Sequence, residues 1–318
     1  MKDFSFILSA YMAYYKGIHR KELTDMKTFD AIIIGKGPAG ISAALYTARA
    51  NLSTLVIGKN ESSLNKAPSI ENYYGLSEPL SGEKLLAVGM EQVKALGVTV
   101  ADEEVLSITK LFEENLFGVT SKENTYQAKT VLIATGKPQK KIKLEGLERL
   151  EGRGISYCTT CDGFFFRKAK VGVLGYNEYA LHEAEELLTF TEDITIFTGG
   201  KEMEASEEET GKFKIIKEPI EALSGTERLE GIKLKNGETI PLQGLFVAYG
   251  TASSVDFAQK LGVLVEDGSI KVNADMATNI DGLFAAGDCT GGFKQVSVAV
   301  GQGAVAGKSM IDYAKKRG

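Results

Sequence analysis

The stretch Thr28-Phe-Asp-Ala-Ile-Ile-Ile-Gly35-Lys36-Gly37-Pro38-Ala39-Gly40 decides the fold. Its first seven residues are a short, apolar, β-branched run, the pattern of a parallel strand buried on both faces. A glycine turn follows, then Ile41-Ser-Ala-Ala-Leu-Tyr-Thr-Ala-Arg49, a helix of small residues. A G-x-G-x-x-G caught between strand and helix is the signature of dinucleotide binding. Gly35 permits the tight turn, Gly37 lets a pyrophosphate approach the backbone, and Gly40 lets helix and strand pack closely. Pro38 and Ala39 complete the first helical turn, whose free N–H groups favour an anion. Residues 52–57 supply the second strand. After it, Gly58-Lys59-Asn60-Glu61 has no acid at the usual ribose position, and Glu61 is a shifted substitute. A nucleotide is expected here, but the turn does not read as an NAD site.

The chain around this stretch has 318 residues, enough for about two domains. Its 43% hydrophobic and 25% charged content is that of a globular protein. A net charge of -5 argues against a general nucleic-acid binder, and no apolar run is long enough for a membrane span. Three cysteines, two of them in one C-x-x-C, fit a reducing cytoplasm better than a secreted scaffold. Residues 1–26 look appended. They read as a short helix or lead-in, since polar breaks and the lack of a small-x-small site do not suit a signal peptide.

The second decisive stretch is Cys158-Thr-Thr-Cys161-Asp162-Gly163. One C-x-x-C is compatible with zinc, redox chemistry or chance. Structural zinc needs two further ligands, and the chain offers only the scattered Cys289, His19 and His182. No metal site is therefore expected, and a dithiol/disulfide couple is the better reading. Asp162 is either a turn-forming Asx residue or the acid–base partner of the sulfur beside it.

Downstream, Lys170-Val-Gly-Val-Leu-Gly175-Tyr176-Asn177-Glu178 repeats strand, turn and helix with the glycine pattern spoiled. Asn177 stands where a second glycine belongs. After residues 193–197, the place for a 2'-phosphate cluster holds Lys201 against Glu202, Glu204, Glu207, Glu208 and Glu209. The fold is expected to persist here without nicotinamide binding.

Further expectations fill in the frame. Residues 71–75 form a loop that could flank a cofactor ring, or a surface turn with buried tyrosines, and Ser81 caps the next helix. Residues 98–101, 105–110 and 116–120 look like a meander, and residues 130–136 a buried strand ending in a glycine turn. Lys137, Lys140, Lys141 and Lys143 make a basic run, either a wet hinge face or a docking patch for an acidic partner, which Arg167, Lys168 and Lys170 could extend. Residues 221–241 read as an antiparallel layer turned at Asn236-Gly237. Gly287-Asp288 ends a returning strand and Lys294-Gln295-Val296 opens a helix. Cys289 reads as a small core residue.

Taken together, Gly35-x-Gly37-x-x-Gly40, Glu71-Asn72-Tyr-Tyr-Gly75, Ala134-Thr135-Gly136, Cys158-Thr-Thr-Cys161-Asp162-Gly163-Phe, Ala286-Gly287-Asp288 and Gln295 resemble the low-molecular-weight thioredoxin reductase family. The resemblance covers nearly everything from Lys27 onward. It implies an α/β fold of two Rossmann-like domains of the three-layer ββα type, the second inserted into the first. Residues 27–140 with 251–318 would bind FAD, and residues 141–250 would carry the disulfide. It implies a homodimer. It further implies that Cys161 faces the flavin, Cys158 attacks the disulfide of thioredoxin, and Asp162 handles the proton. The flavin would lie on Gly35, Gly37, Pro38, Ala39, Gly40, Asn72, Ala134, Thr135, Gly136, Gly287, Asp288, Lys294, Gln295 and Val296.

The spoiled second turn departs from that family's NADPH domain. The chain is similar instead to the pyridine-nucleotide-independent branch, which includes ferredoxin-dependent flavin enzymes. Thioredoxin reduction with electrons from ferredoxin is then expected. An NADPH-dependent reductase with a relaxed site, a dithiol oxidase using oxygen, and a non-catalytic flavoprotein sensor are the rival readings.

Overall fold

A computed structural model describes residues 26–60, 62–136 and 142–316. Residues 1–25, Glu61 and the basic run from Lys137 to Lys141 lie outside them. The first stretch runs β1 (Thr28–Ile34), α1 (Pro38–Arg49), β2 (Thr54–Ile57), α2 (Gly82–Ala95), β3 (Thr99–Ala101), β4 (Val105–Leu111), β5 (Leu116–Ser121) and β6 (Thr125–Ile133). The middle runs α3 (Leu147–Leu150), β7 (Ile155–Ser156), α4 (Thr159–Asp162), β8 (Val171–Leu174), α5 (Glu178–Leu187), β9 (Ile194–Phe197), α6 (Glu207–Thr210), β10 (Lys214–Ile216), β11 (Ile220–Ser224), β12 (Gly231–Leu234), β13 (Thr239–Pro241) and β14 (Gly244–Val247). The last runs α7 (Ser254–Lys260), β15 (Val265–Glu266), β16 (Ser269–Ile270), β17 (Leu283–Ala285) and α8 (Val296–Lys315).

Two sheets organise these elements into an α/β fold with a Rossmann-like sheet. The first has the order β3-β2-β1-β6-β5-β4, with β17 also on β6. Its inner strands are apolar throughout because both faces are covered: Ala31 and Ile33 cluster with residues of α1, α2 and α8, and Ile32 and Ile34 with residues of β4 and β5; Ile32, Ile33 and Ile34 are almost wholly buried. β6 divides its free edge between two partners. Residues near Ala128 pair antiparallel with β5, while Val131 to Ile133 pair parallel with β17. The expected meander is corrected at one strand: β3 lies parallel beside β2, and the meander is β4-β5-β6. The reason is α2, a crossover long enough to return the chain in the same direction.

The second sheet has the order β10-β9-β8-β14-β7, all parallel. Beside it lies the antiparallel layer β11-β12-β13. That layer turns at Asn236-Gly237 as expected, with Gly237 at φ +90° and the Glu238 N–H donating to Asn236 Oδ1 at 2.9 Å. A buried apolar cluster joins the two sheet units, running from Val105 and Ile108 of β4 through Phe257 of α7 to Tyr179 and Leu181 of α5. α7 follows the second sheet in sequence yet packs on β4 of the first.

Candidate active site: a nucleotide cleft and a redox disulfide

The carboxyl ends of β1, β6 and β17 open on one cleft of about 1180 Å³, where open α/β sheets place their ligands. Its walls include Gly35, Gly37, Pro38 and Ala39 from the first turn, Ala134, Thr135 and Gly136 after β6, and Gly287 and Asp288 after β17. Asn72, Lys294, Gln295 and Val296 complete that wall. Asn72 is tied in place: its Nδ2 donates to Gln295 Oε1 at 3.0 Å. Of the loop's tyrosines, Tyr74 is fully exposed. Gly40 works from beneath, since a Cβ there would stand 2.1 Å from the Gly35 carbonyl oxygen.

The cleft fits a dinucleotide. A Cβ on Gly37 would enter space with no protein atom within 4 Å. No side chain caps the N-terminus of α1 at Gly37 or of α8 at Gln295. Two long helices thus leave their N–H ends to whatever the cleft holds. At the end near β2, Lys36 pairs with Asp102 and donates to Asn60 Oδ1 at 3.1 Å. Burial, with the Lys94 charge, pushes the Lys36 ammonium down to about 8. Lys59 pairs with Glu104, whose carboxyl burial pushes above its ordinary value. The acids near this end therefore come from the β3–β4 connection.

Cys158 and Cys161 form a disulfide at the start of α4. The Cys161 N–H donates to Cys158 Sγ at 3.1 Å, which would favour a Cys158 thiolate once the bond opens. Cys158 is buried and Cys161 exposed. Ser156, at the end of β7, organises the pair: its hydroxyl donates to the Asp162 carboxylate at 2.7 Å and accepts the Cys158 N–H at 3.0 Å. Sequence reasoning missed Ser156, although a hydroxyl two residues before the first cysteine is visible there. It also missed Gln302, whose Oε1 accepts the Gly287 N–H at 2.8 Å and fixes that turn. None of Cys158, Cys161 and Asp162 lines the cleft. Cys161 Sγ lies 3.7 Å from the Gln259 carbonyl oxygen near the far end of α7, the helix whose N-cap Ser253 and whose Ser254 and Phe257 border the cleft. Cys289 is no third redox thiol: it is wholly buried, and burial pushes its thiol up to about 12.

The second glycine turn is closed. Asn177 is buried; its Oδ1 accepts the Ala180 N–H at 3.4 Å and caps α5, and its Nδ2 donates to the Gly250 carbonyl at 2.8 Å. Tyr176 packs edge-on against Tyr249, with ring centroids 5.1 Å apart. The Glu204 N–H donates to the Tyr176 carbonyl at 2.7 Å, folding the glutamate-rich segment back over the turn. Asn177→Ala removes a helix cap and leaves a buried carbonyl unpaired. It is expected to destabilise the protein by about 2 kcal/mol, read from the urea midpoint; an unchanged midpoint would contradict this role.

Lys260 lies nearly buried beside Glu183 and Glu186, with His182 Nε2 3.3 Å from Glu186. Burial opposes the Lys260 charge, but the two carboxylates outweigh it and hold the ammonium above its ordinary value. Burial likewise opposes the Glu186 charge, and Lys260 and His182 overcome it, holding that carboxyl down to about 2. His182, Glu183 and Glu186 come close enough to chelate an ion, but the lysine ammonium already occupies that role.

A dinucleotide cleft on one α/β sheet and a C-x-x-C disulfide beside a second define a disulfide oxidoreductase. Residues 29–303 match the pyridine nucleotide-disulphide oxidoreductase family. The thioredoxin reductase of Aquifex aeolicus is 36% identical over 87% of this chain and 90% of its own length. The atypical thioredoxin reductase TRi from Desulfovibrio vulgaris Hildenborough superposes with a TM-score of 0.86 at 38% identity, covering 90% of this chain and 98% of that one. A ferredoxin-flavin thioredoxin reductase from Clostridium acetobutylicum gives 0.69 at 32% identity, covering 92% and 99%. The chain belongs to the thioredoxin reductase family, whose members are flavin-dependent disulfide oxidoreductases.

Proposed function

We propose that this chain reduces thioredoxin through the Cys158–Cys161 disulfide, with FAD in the cleft and electrons drawn from reduced ferredoxin, not NADPH. The observation that carries the donor assignment is Asn177, whose side chain caps α5 and binds Gly250 where a second nucleotide would need bare backbone. The acidic segment 202–209 gives a 2'-phosphate no cationic cluster. The similarity to a ferredoxin-flavin thioredoxin reductase supports the same reading.

When bound, the flavin supplies a two-electron store that fills one electron at a time and empties as a pair. The glycine turn at Gly35–Gly40 and the start of α8 would hold it, and Asp288 would offer an acceptor to one of its hydroxyls. On receiving two electrons the Cys158–Cys161 bond breaks, leaving a thiol and a thiolate. Asp162, held by Ser156, carries the proton between sulfur and solvent. The Cys158 thiolate attacks one sulfur of the partner disulfide and expels the other as thiolate. Cys161 then attacks Cys158 in the mixed disulfide, which releases the reduced partner and restores the ring. Two electrons leave this chain and two arrive on thioredoxin. We assign residues 27–140 with 251–318 to the flavin domain and 141–250 to the redox domain. The protein is assigned as a cytoplasmic homodimer; among the described residues no helix is long and apolar enough to cross a membrane.

An anaerobic turnover assay tests the donor. With thioredoxin as acceptor, reduced ferredoxin is expected to support turnover, and NADPH to leave the flavin oxidised. Prompt bleaching of the flavin by NADPH would end the ferredoxin assignment.

A further inference from the structure

We infer that Lys122 and Lys260 are positioning residues that clamp the two sheet units together and hold the Cys158–Cys161 disulfide away from the cleft. Lys122, in the turn between β5 and β6, pairs with Glu178 at the start of α5 and reaches Glu209 of α6 at 3.7 Å. Lys260, the last residue of α7, pairs with Glu183 and reaches Glu186 at 3.3 Å, both on α5. Both ammoniums come from elements of the first unit and all four carboxylates from the second. Glu178 and Glu209 belong to the turn and segment that elsewhere would meet a second nucleotide. Acids beside that closed turn thus grip the neighbouring unit.

The clamp reaches the redox helix directly. The Thr160 hydroxyl, between the two cysteines, donates to Glu186 at 3.3 Å, and Gln259, next to Lys260, abuts Cys161 Sγ. The apolar cluster that includes Val105, Phe257 and Tyr179 is held by non-directional burial. The charge pairs fix the register. Their two halves differ in kind: the Lys122 pair is half-exposed and screened by salt, whereas the Lys260 pair is buried and costly to break singly. While both hold, α4 stays at the far end of α7. Passage of electrons to the disulfide then requires the clamp to open. This step rests on the proposed transfer from a cleft-bound flavin to Cys158–Cys161.

A zero-length cross-link tests it on the FAD-loaded protein. A water-soluble carbodiimide joins a paired amine and carboxylate as an amide, with one water lost to the reagent. Treatment should link Lys122 to Glu178 or Glu209, seen by peptide mass. Lys122→Arg keeps the cation but does not couple, and serves as the treated control. After anaerobic photoreduction, the linked protein should pass electrons from flavin to disulfide more than about tenfold slower than that control. A charge-removing variant, Lys260→Met with Glu183→Gln and Glu186→Gln, leaves no unpaired buried charge and should transfer about tenfold faster than the parent. Absence of the link, or equal and measurable rates in linked and control protein, would overturn the clamp. If the link forms but the untreated parent shows no flavin-to-disulfide transfer, the clamp stands and the electron route fails.

Discussion

Cys161→Ser is expected to lower thioredoxin reduction to below about a thousandth of the parent rate while FAD stays bound. The effect follows from electron counting. A lone Cys158 thiolate can attack a partner disulfide once, but no second sulfur is present to release the product. The variant should therefore accumulate a covalent complex with thioredoxin, visible on a non-reducing gel. Cys158→Ser should be equally inactive and trap nothing. Stability should change little in either case, because the ring spans a sequence separation of only 3 and short loops constrain the unfolded chain least. Trapping by Cys158→Ser instead would exchange the two roles. Cys161 is the exposed sulfur, while Cys158 receives the stabilising N–H.

The second large effect separates two glycines of one turn. Gly35→Ala places a methyl 2.2 Å from the Ala134 carbonyl oxygen at a φ of +119°. The β1–α1 turn must shift, so FAD affinity is expected to fall by more than about a hundredfold, near 3 kcal/mol, and the thermal midpoint to drop with it. Gly37→Ala is different. Its φ is -79° and its methyl meets no protein atom. The apoprotein should keep its midpoint while FAD retention, followed by flavin fluorescence titration, falls sharply. Equal FAD binding by Gly37→Ala and the parent would remove the cofactor from this turn.

The Gly35–Gly40 turn was legible in the sequence because each glycine answers a local constraint, and so were the Ser81 cap and the Asn236-Gly237 hairpin. The split after β3 was not. Residues 98–101 look like their neighbours 105–110 in composition, and only the packing of α2 decides which pairs parallel. The clamp was invisible for another reason. Lys122 and Lys260 are unremarkable surface-type residues until the fold brings Glu178 and Glu183 to them across 56 and 77 positions. The spoiled turn was read correctly as lacking its glycine, but not as filled: that Asn177 spends its amide on Ala180 and Gly250 appears only in three dimensions. The basic run at Lys140, expected as a wet hinge face or a docking patch, lies outside the described residues.

The divided edge of β6 has a consequence for synthesis. Val131 must wait for Leu283, about 150 residues further along the chain, so roughly 10 to 30 s of translation separate the two strands. The intervening sheet can assemble in that interval from neighbours close in sequence. The nascent first sheet meanwhile carries an open, strongly apolar border, with Leu132 and Ile133 lacking their eventual cover. Ribosome-associated holding factors should engage the chain during this window, and stalling just before residue 283 should leave a product that aggregates.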